Sequence, residues 1–358
     1  VKLREAGHLA GTLAAAVLGA QACVALGTPL PWFIGPLLVS AACTLAGLPT
    51  RASARLRNAG LWAIGTALGM YFTPAFLREM PALLPVIAAA VAWALLCGYG
   101  YYHWLWRRNR GRHGLTRQTA FFSAAIGGAS EMALLADERG GRVDLVASAH
   151  ALRIMLVVLV IPFAMQWAGV HGSDVYVAGA TQVHWGGLLP LALCTAAGGA
   201  LAWGLGLPNA WMLGALAVSV AAAAAGWAPS AFPPALANAA QLAIAILLGT
   251  RFQADFVRTA PRWLFSVATG TLGMIAASAA FAGVLAAASG VPAATLILGT
   301  CPGGMTEMSI TAKVLQLGVP VVTALQLLRY IAVMLLTRRL WDWESRRLAR
   351  GVTSPPGP

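Results

Sequence analysis

The sequence predicts an all-α polytopic membrane protein made of two homologous, inverted repeats, each with about five spans plus a broken or re-entrant Gly-Gly segment. Three observations predict it. The composition is that of a lipid-embedded chain, the chain repeats itself at offsets of 180 and 176 residues, and its basic residues collect on one side only if the repeats are inverted.

Composition comes first. Of 358 residues, 59% are hydrophobic and 10% charged, against about 25% charged in a soluble domain. Leu9–Leu26, Leu83–Trp106, Leu145–Trp167, Leu188–Leu205 and Val267–Ala288 are apolar runs near the roughly 20 residues that cross a bilayer as helix. A β-barrel would instead alternate polar and apolar residues in short stretches. The net charge of +13 reads as topology, because Lys and Arg concentrate in short loops beside the spans. The dense stretches Arg107–Arg117 and Arg338–Arg350 come with no soluble domain to read bases. The expected partner is therefore the lipid bilayer, with no direct nucleic acid. Cys23, Cys43, Cys97, Cys194 and Cys301 lie in apolar segments without CxxC spacing and read as small buried hydrophobes. Leu9–Leu26 follows Lys2 and Arg4 and is read as a retained first span rather than a signal peptide.

Self-similarity is the most informative feature. Pro31-Trp32-Phe33-Ile34-Gly35 resembles Ala210-Trp211-Met212-Leu213-Gly214. Asn58-Ala59 matches Asn238-Ala239, and Leu68-Gly69 with Phe72, Phe76, Arg78 and Pro81 matches Leu248-Gly249 with Phe252, Phe256, Arg258 and Pro261. Gly127-Gly128-x-x-Glu131-Met132 matches Gly303-Gly304-x-x-Glu307-Met308, and Leu152-Arg153 matches Leu328-Arg329. The chain thus divides into membrane repeats at 1–170 and 180–345 and a basic, Pro-rich tail at 346–358, disordered by composition from Val352. Each repeat holds six apolar segments: about 8–26, 31–48, 56–73, 82–106, 118–137 and 144–167, then 186–205, 210–227, 235–250, 264–289, 293–314 and 319–341.

Charge decides how many cross. With twelve crossings and the N-terminus inside, Arg78, Arg139, Arg142, Arg251, Arg258, Arg262 and Lys313 fall outside. With one segment per half failing to cross, only Arg78 and Lys313 remain outside, and the second half is inverted. The linker 168–185 has no Lys or Arg, which suits an external loop. The fifth segment is the one expected to fail, since paired glycines and Pro302 are poor mid-helix residues. Irregular backbone at membrane depth persists where protein or a watery cavity covers it. Inverted repeats with broken helices near the midplane are the architecture of many secondary transporters. The alternative is that Gly-Gly lets two helices pack closely.

The polar residues at membrane depth make the candidate site. Arg153 and Arg329 sit about ten residues into the last span of each half, where an unpaired charge is expensive, so each is expected to meet a Glu. Glu131 and Glu307 would exchange protons or hold a cation, and Arg153 and Arg329 would bind an anionic group or act as counter-ions. Helices starting after Gly127-Gly128 and Gly303-Gly304 would aim positive dipole ends at a ligand. The bland alternative is a static pair of salt bridges. Ser130 and Thr306 are expected as hydroxyl partners or helix caps, and Asn58 and Asn238 as caps or ligand donors. Gln326 replaces His150 three residues before the arginine, leaving both positions polar but not equivalent. Trp32 and Trp211 are read as interface anchors, and Lys313 has no assigned role.

The two-fold pattern of Trp-x-x-Gly, Leu-Gly-x-x-Phe, (Pro)-Gly-Gly-x-x-Glu-Met and Leu-Arg resembles the Gram-negative AbrB membrane family over residues 8–341. The first half departs from it with Ile126 where the motif has proline. The resemblance implies a duplicated membrane domain in a bacterial inner membrane and a link to regulation of gene expression. It does not imply the small soluble DNA-binding fold that shares the name. Members also carry an ammonia monooxygenase label. Such chemistry needs a metal held by several histidines, and His8, His103, His113, His150, His171 and His184 form no close cluster in sequence, so no cofactor is expected and an enzyme ranks third. The leading expectation is a secondary transporter of a small solute, an anion by its arginines, with both termini cytoplasmic. The runner-up is a membrane regulator acting through the basic stretches. Homo-oligomerisation is left open.

Overall fold

Local signals set six of the helix starts. Ser53, Thr73 and Thr116 accept hydrogen bonds from Leu56, Phe76 and Thr119 backbone N–H groups, as N-caps do. Pro31, Pro74, Pro234 and Pro261 occupy the first helical turn, where a missing N–H is harmless. The computed structural model describes residues 2–112, 114–172, 176–252 and 260–352, with the side chains of residues 2–4, 6, 351 and 352 excepted. Phe256, Arg258, His113 and the tail from residue 353 lie outside the described residues.

The described residues form helices and no strand. The first half holds α1 (Lys2–Ala25), α2 (Pro31–Leu45), α3 (Ala54–Gly69), α4 (Pro74–Asn109), α5 (Arg117–Ala124), α6 (Ala129–Glu138) and α7 (Val143–Trp167). The second holds α8 (Trp185–Gly204), α9 (Ala210–Ala224), α10 (Pro234–Gly249), α11 (Pro261–Ser289), α12 (Ala293–Thr300), α13 (Met305–Leu315) and α14 (Val319–Val352). Six helices are long and apolar enough to span a bilayer, namely α1, α4, α7, α8, α11 and α14. This is a polytopic membrane protein. The fifth segment of each half is broken into two short helices at its glycine pair.

Two expectations need correction. Three of the second and third segments are shorter than expected, with 15 residues in α2 and α9 and 16 in α3, while α10 has the expected 16. Each is about 23 Å long, less than the roughly 30 Å hydrocarbon core. Their buried faces fill the main core, through Phe33, Ile34, Leu61, Leu68, Met212 and Leu248. The basic tail also begins as helix, since α14 continues to Val352.

Helix contacts come in matched pairs. Helix α1 packs on α2 and α8 on α9; α3 packs on α9 and α10 on α2; α7 packs on α11 and α14 on α4. Glycines permit these approaches. A Cβ on Gly35 would overlap the Gly19 carbonyl, and one on Gly214 the Gly198 carbonyl. Gly69 lies against Ser219 and Gly249 against Ser40, which gives the repeated Leu-Gly pair a packing reason. Trp211 covers Gly199 and packs on the main core, so its ring fills a helix contact. Trp32 likewise packs on a small cluster around Ala16, Leu242 and Ile246. Helices α1 and α8 expose Leu18, Leu189, Leu193 and Leu201, as surfaces that meet lipid do.

Loop contacts define two faces. Ala231 N–H donates to Gln182 O, Gly179 N–H to Met70 O and Gly172 N–H to Leu315 O. The linker therefore shares one face with the C-terminal ends of α3 and α13 and the start of α10. The start of α3, the start of α9 and the end of α10 lie at the opposite ends of their helices.

Candidate functional site

The two helix breaks meet at one cavity of about 170 Å³. Gly127, Gly128 and Ala129 line it from the first half, and Gly303, Gly304 and Met305 from the second. The N-termini of α6 and α13 therefore converge there, each with a positive dipole end. Three guanidinium side chains, of Arg57, Arg251 and Arg329, line the same cavity together with Glu307. Arg251 is exposed and Arg57 half-buried, so the cavity opens towards the face of the α3 start.

The glutamates sit at the third helical position after caps Gly128 and Gly304. A Cβ on Gly128 would overlap the Glu131 carboxylate, and one on Gly304 the Glu307 carboxylate. Each carboxylate thus folds back over its own helix N-terminus, the geometry of half a capping box. The second glycine of the pair supplies the empty space this requires. Glu307 is buried, at 9% exposure, and Glu131 is half-buried.

The arginines do not meet the glutamates, which overturns the expected pairing. The ion pairs among described residues are Arg51–Glu5, Arg139–Asp342, Arg142–Asp144, Arg338–Glu138 and Arg347–Glu344. Arg153 Nη1 donates to Ala125 O at 3.0 Å and Ser123 O at 3.4 Å. Arg329 Nη1 donates to Cys301 O at 2.5 Å, and its Nη2 to Gly303 O at 2.6 Å. Both guanidiniums, 2% and 3% exposed, cap the C-terminal carbonyls of the half-helices α5 and α12. A helix that stops inside a membrane leaves carbonyls that no water reaches, and a cation there also complements the dipole.

His150 and Gln326 support the same junctions. His150 Nε2 contacts Phe122 O at 2.9 Å and Gln326 Nε2 donates to Leu298 O at 2.6 Å, carbonyls that correspond at offset 176. The two positions are equivalent in their contact after all. His150 Nδ1 also lies 2.9 Å from Arg153 Nη2. The arginine network leaves a donor over. Arg329 Nε is buried without a hydrogen-bond partner among the described residues, whereas the Tyr330 hydroxyl stands beside the Glu131 carboxylate; both residues line the cavity.

Other expected site residues fall elsewhere. Ser130 is exposed and Thr306 Oγ1 lies 3.0 Å from Met212 Sδ; neither caps a helix, because the caps are glycines. Asn58 and Asn238 lie inside α3 and α10, whose caps are Ser53 and Pro233. Asn58 accepts from Arg57 Nη2 at 2.8 Å, and Asn238 lines a different cavity beside Lys313. Sequence reasoning passed over Arg57, Arg251, Asn209 and Tyr330. None is repeated: at the offsets of their neighbours, Arg57 corresponds to Ala237, Arg251 to Tyr71 and Tyr330 to Ile154. Asn209 caps α9 at φ 52°, a left-handed conformation Asn adopts readily.

A family model described as "Transition state regulatory protein AbrB" matches residues 32–344. The uncharacterized protein YhjN of Bacillus subtilis (strain 168) is 26% identical over 349 residues, covering 87% of this chain and 86% of that protein. No solved structure matches.

Proposed function

From the premise that this chain belongs to the AbrB family, we propose that it is a secondary transporter of a small anionic solute, with its binding site in the central cavity. One observation carries the reading. Two helix N-termini, three arginines and one unpartnered donor, Arg329 Nε, gather at a cavity between the halves. Such an arrangement suits an anion, and transporter sites commonly lie between repeats at broken helices.

The glutamates supply the coupling. The Glu307 carboxylate occupies the helix N-terminus that an anion would use, so the two compete. Protonating Glu307, or Glu131 in the other half, removes that competition and makes the site more positive. With both glutamates protonated, two protons travel with one monovalent anion, which is symport carrying net positive charge. A panel of acetate, succinate and inorganic phosphate applied to proteoliposomes is expected to give a current with at least one anion, growing as pH falls on the open side. Glu307→Gln and Arg251→Gln are expected to cut it at least tenfold. Wild-type current in both variants refutes this site.

In this reading the repeats are inverted, the linker face is periplasmic, and both termini are cytoplasmic in the inner membrane. The basic-residue distribution supports it. Single cysteines at Val177 and Trp227, both exposed, are expected to label from outside, and one at Arg346 from inside only. Labelling of Val177→Cys from the cytoplasm would make the repeats parallel.

The family description favours a second reading, a membrane regulator of gene expression. It would act through the basic stretches Arg107–Arg117 and Arg338–Arg350. Neutralising those arginines should then abolish the regulatory output, whereas Glu307→Gln should spare it.

A further inference from the structure

A second cavity, of about 200 Å³, lies at the other end of the same helices, lined by Leu68 of α3, Asn238 and Gln241 of α10, and Ile310 and Lys313 of α13. The central cavity is walled by Leu61 of α3, Ile244 of α10 and Glu307 of α13. Leu61 to Ile64, Gln241 to Ile244 and Glu307 to Ile310 are each one helical turn or less, about 4.5 Å of rise. Leu61, Ile64, Ile244 and Ile310 lie along these turns between the two cavities, and all four are buried.

The outer cavity has a mostly apolar wall that carries three polar side chains, Lys313, Asn238 and Gln241. Lys313 is half-buried and makes no ion pair or hydrogen bond among the described residues. Two amide side chains, Asn238 and Gln241, share its cavity. An ammonium withdrawn from water without a carboxylate is costly, and a small anion would supply the missing charge. The sign matches that of the arginines in the central cavity. An apolar constriction between two cavities that each hold polar side chains is also a device that gates by excluding water.

We infer that the two cavities are the ends of one passage through α3, α10 and α13. Lys313, Asn238 and Gln241 form its outer anion-receiving site, and the layer of Leu61, Ile64, Ile244 and Ile310 is its gate. The inference rests on reading the central cavity as an anion site. It adds the route and the residues at the far end, and it assigns Lys313 a role.

Thiol labelling tests it without knowledge of the solute, on full-length protein in liposomes with the five native cysteines replaced. The probes are sulfonatoethyl methanethiosulfonate, an anion, and trimethylammonioethyl methanethiosulfonate, a cation, with rates normalised to a free thiol. At Asn238→Cys the anionic probe is expected to be favoured about tenfold, and Lys313→Gln should bring the ratio close to one. An unchanged ratio means that Lys313 merely reaches out to water and overturns the anion site. Ala129→Cys in the central cavity should label only from the Arg251 face, and Ile310→Ala should add labelling from the Lys313 face. Ile64→Ala serves the same purpose if Ile310→Ala misfolds. Absence of new labelling in a folded variant overturns the passage. If labelling behaves as expected while the Glu307 and Arg251 variants carry wild-type current, the transport reading fails and the passage stands; the converse removes the passage alone.

Discussion

Arg329→Leu is expected to leave little folded protein in the membrane. Arg329 is 3% exposed and holds the carbonyls of Cys301 and Gly303 at the end of α12. Leucine keeps the bulk and removes both donors. The Gly303 carbonyl then faces the interior with no replacement and Cys301 O keeps only the Gly303 N–H at 2.8 Å, at about 1–3 kcal/mol for each lost bond, and the dipole of α12 loses its counter-charge. The total, about 3–5 kcal/mol, is a large fraction of a typical folding free energy. Arg329→Lys should recover part of it, because an ammonium is a point donor without the planar fork that bridges both carbonyls. Arg153→Leu should behave similarly through Ala125 O and Ser123 O. Monodisperse yield after detergent extraction, with thermal unfolding of what remains, is the measurement. Arg329→Leu protein with wild-type yield and melting temperature would show that the guanidinium does not support the break.

Gly304→Ala is expected to do the opposite, sparing the fold and removing transport. The new methyl would stand where the Glu307 carboxylate now lies. That carboxylate is the free end of a flexible side chain, so it swings away and the backbone stays. The stability cost is about that of losing a helix cap, near 1 kcal/mol. The coupling group, however, no longer competes with the anion for the helix N-terminus, and proton-driven current should fall at least tenfold. Gly128→Ala should repeat the effect through Glu131 if both halves carry coupling. A melting temperature within a few degrees of wild type together with wild-type current would refute the competition between carboxylate and anion.

The contrast between these variants marks how much the sequence could reveal. Hydropathy and the glycine pairs announced a broken fifth segment, and the breaks lie at Ala125–Gly128 and Cys301–Gly304. Self-similarity found Glu131, Glu307, Arg153 and Arg329 because each performs its task twice. It could not tell which task. Opposite charges at membrane depth suggested pairing, whereas the stronger demand came from carbonyls that the helix breaks themselves created. Backbone acceptors have no letter in a sequence, so the partner of each arginine was invisible. Arg57 and Arg251 escaped for another reason: they occur once each, on α3 and just after α10, and only folding brings them to one cavity. Segment length was also misread, since Ala- and Gly-rich sequence looks the same in a full span and in a 15-residue helix buried among its neighbours.

Helices α4 and α14, of 36 and 34 residues, are each about 50 Å long. A hydrocarbon layer of about 30 Å takes up little more than half of that. The remainder is braced: Glu344 accepts hydrogen bonds from the hydroxyls of Tyr99 and Tyr102, and Arg139 pairs with Asp342. These two helices also form part of the scaffold around the broken segments, through the packing of α4 on α5 and of α14 on α12 and α13. They therefore behave as paired lever arms. A tilt of about 10° at membrane depth moves a tip about 20 Å away by about 4 Å, enough to make or break a contact with another molecule. In the proposed transporter, occupancy of the interior would become a mechanical displacement at the surface, so that carrying a solute and reporting its presence would require no separate machinery.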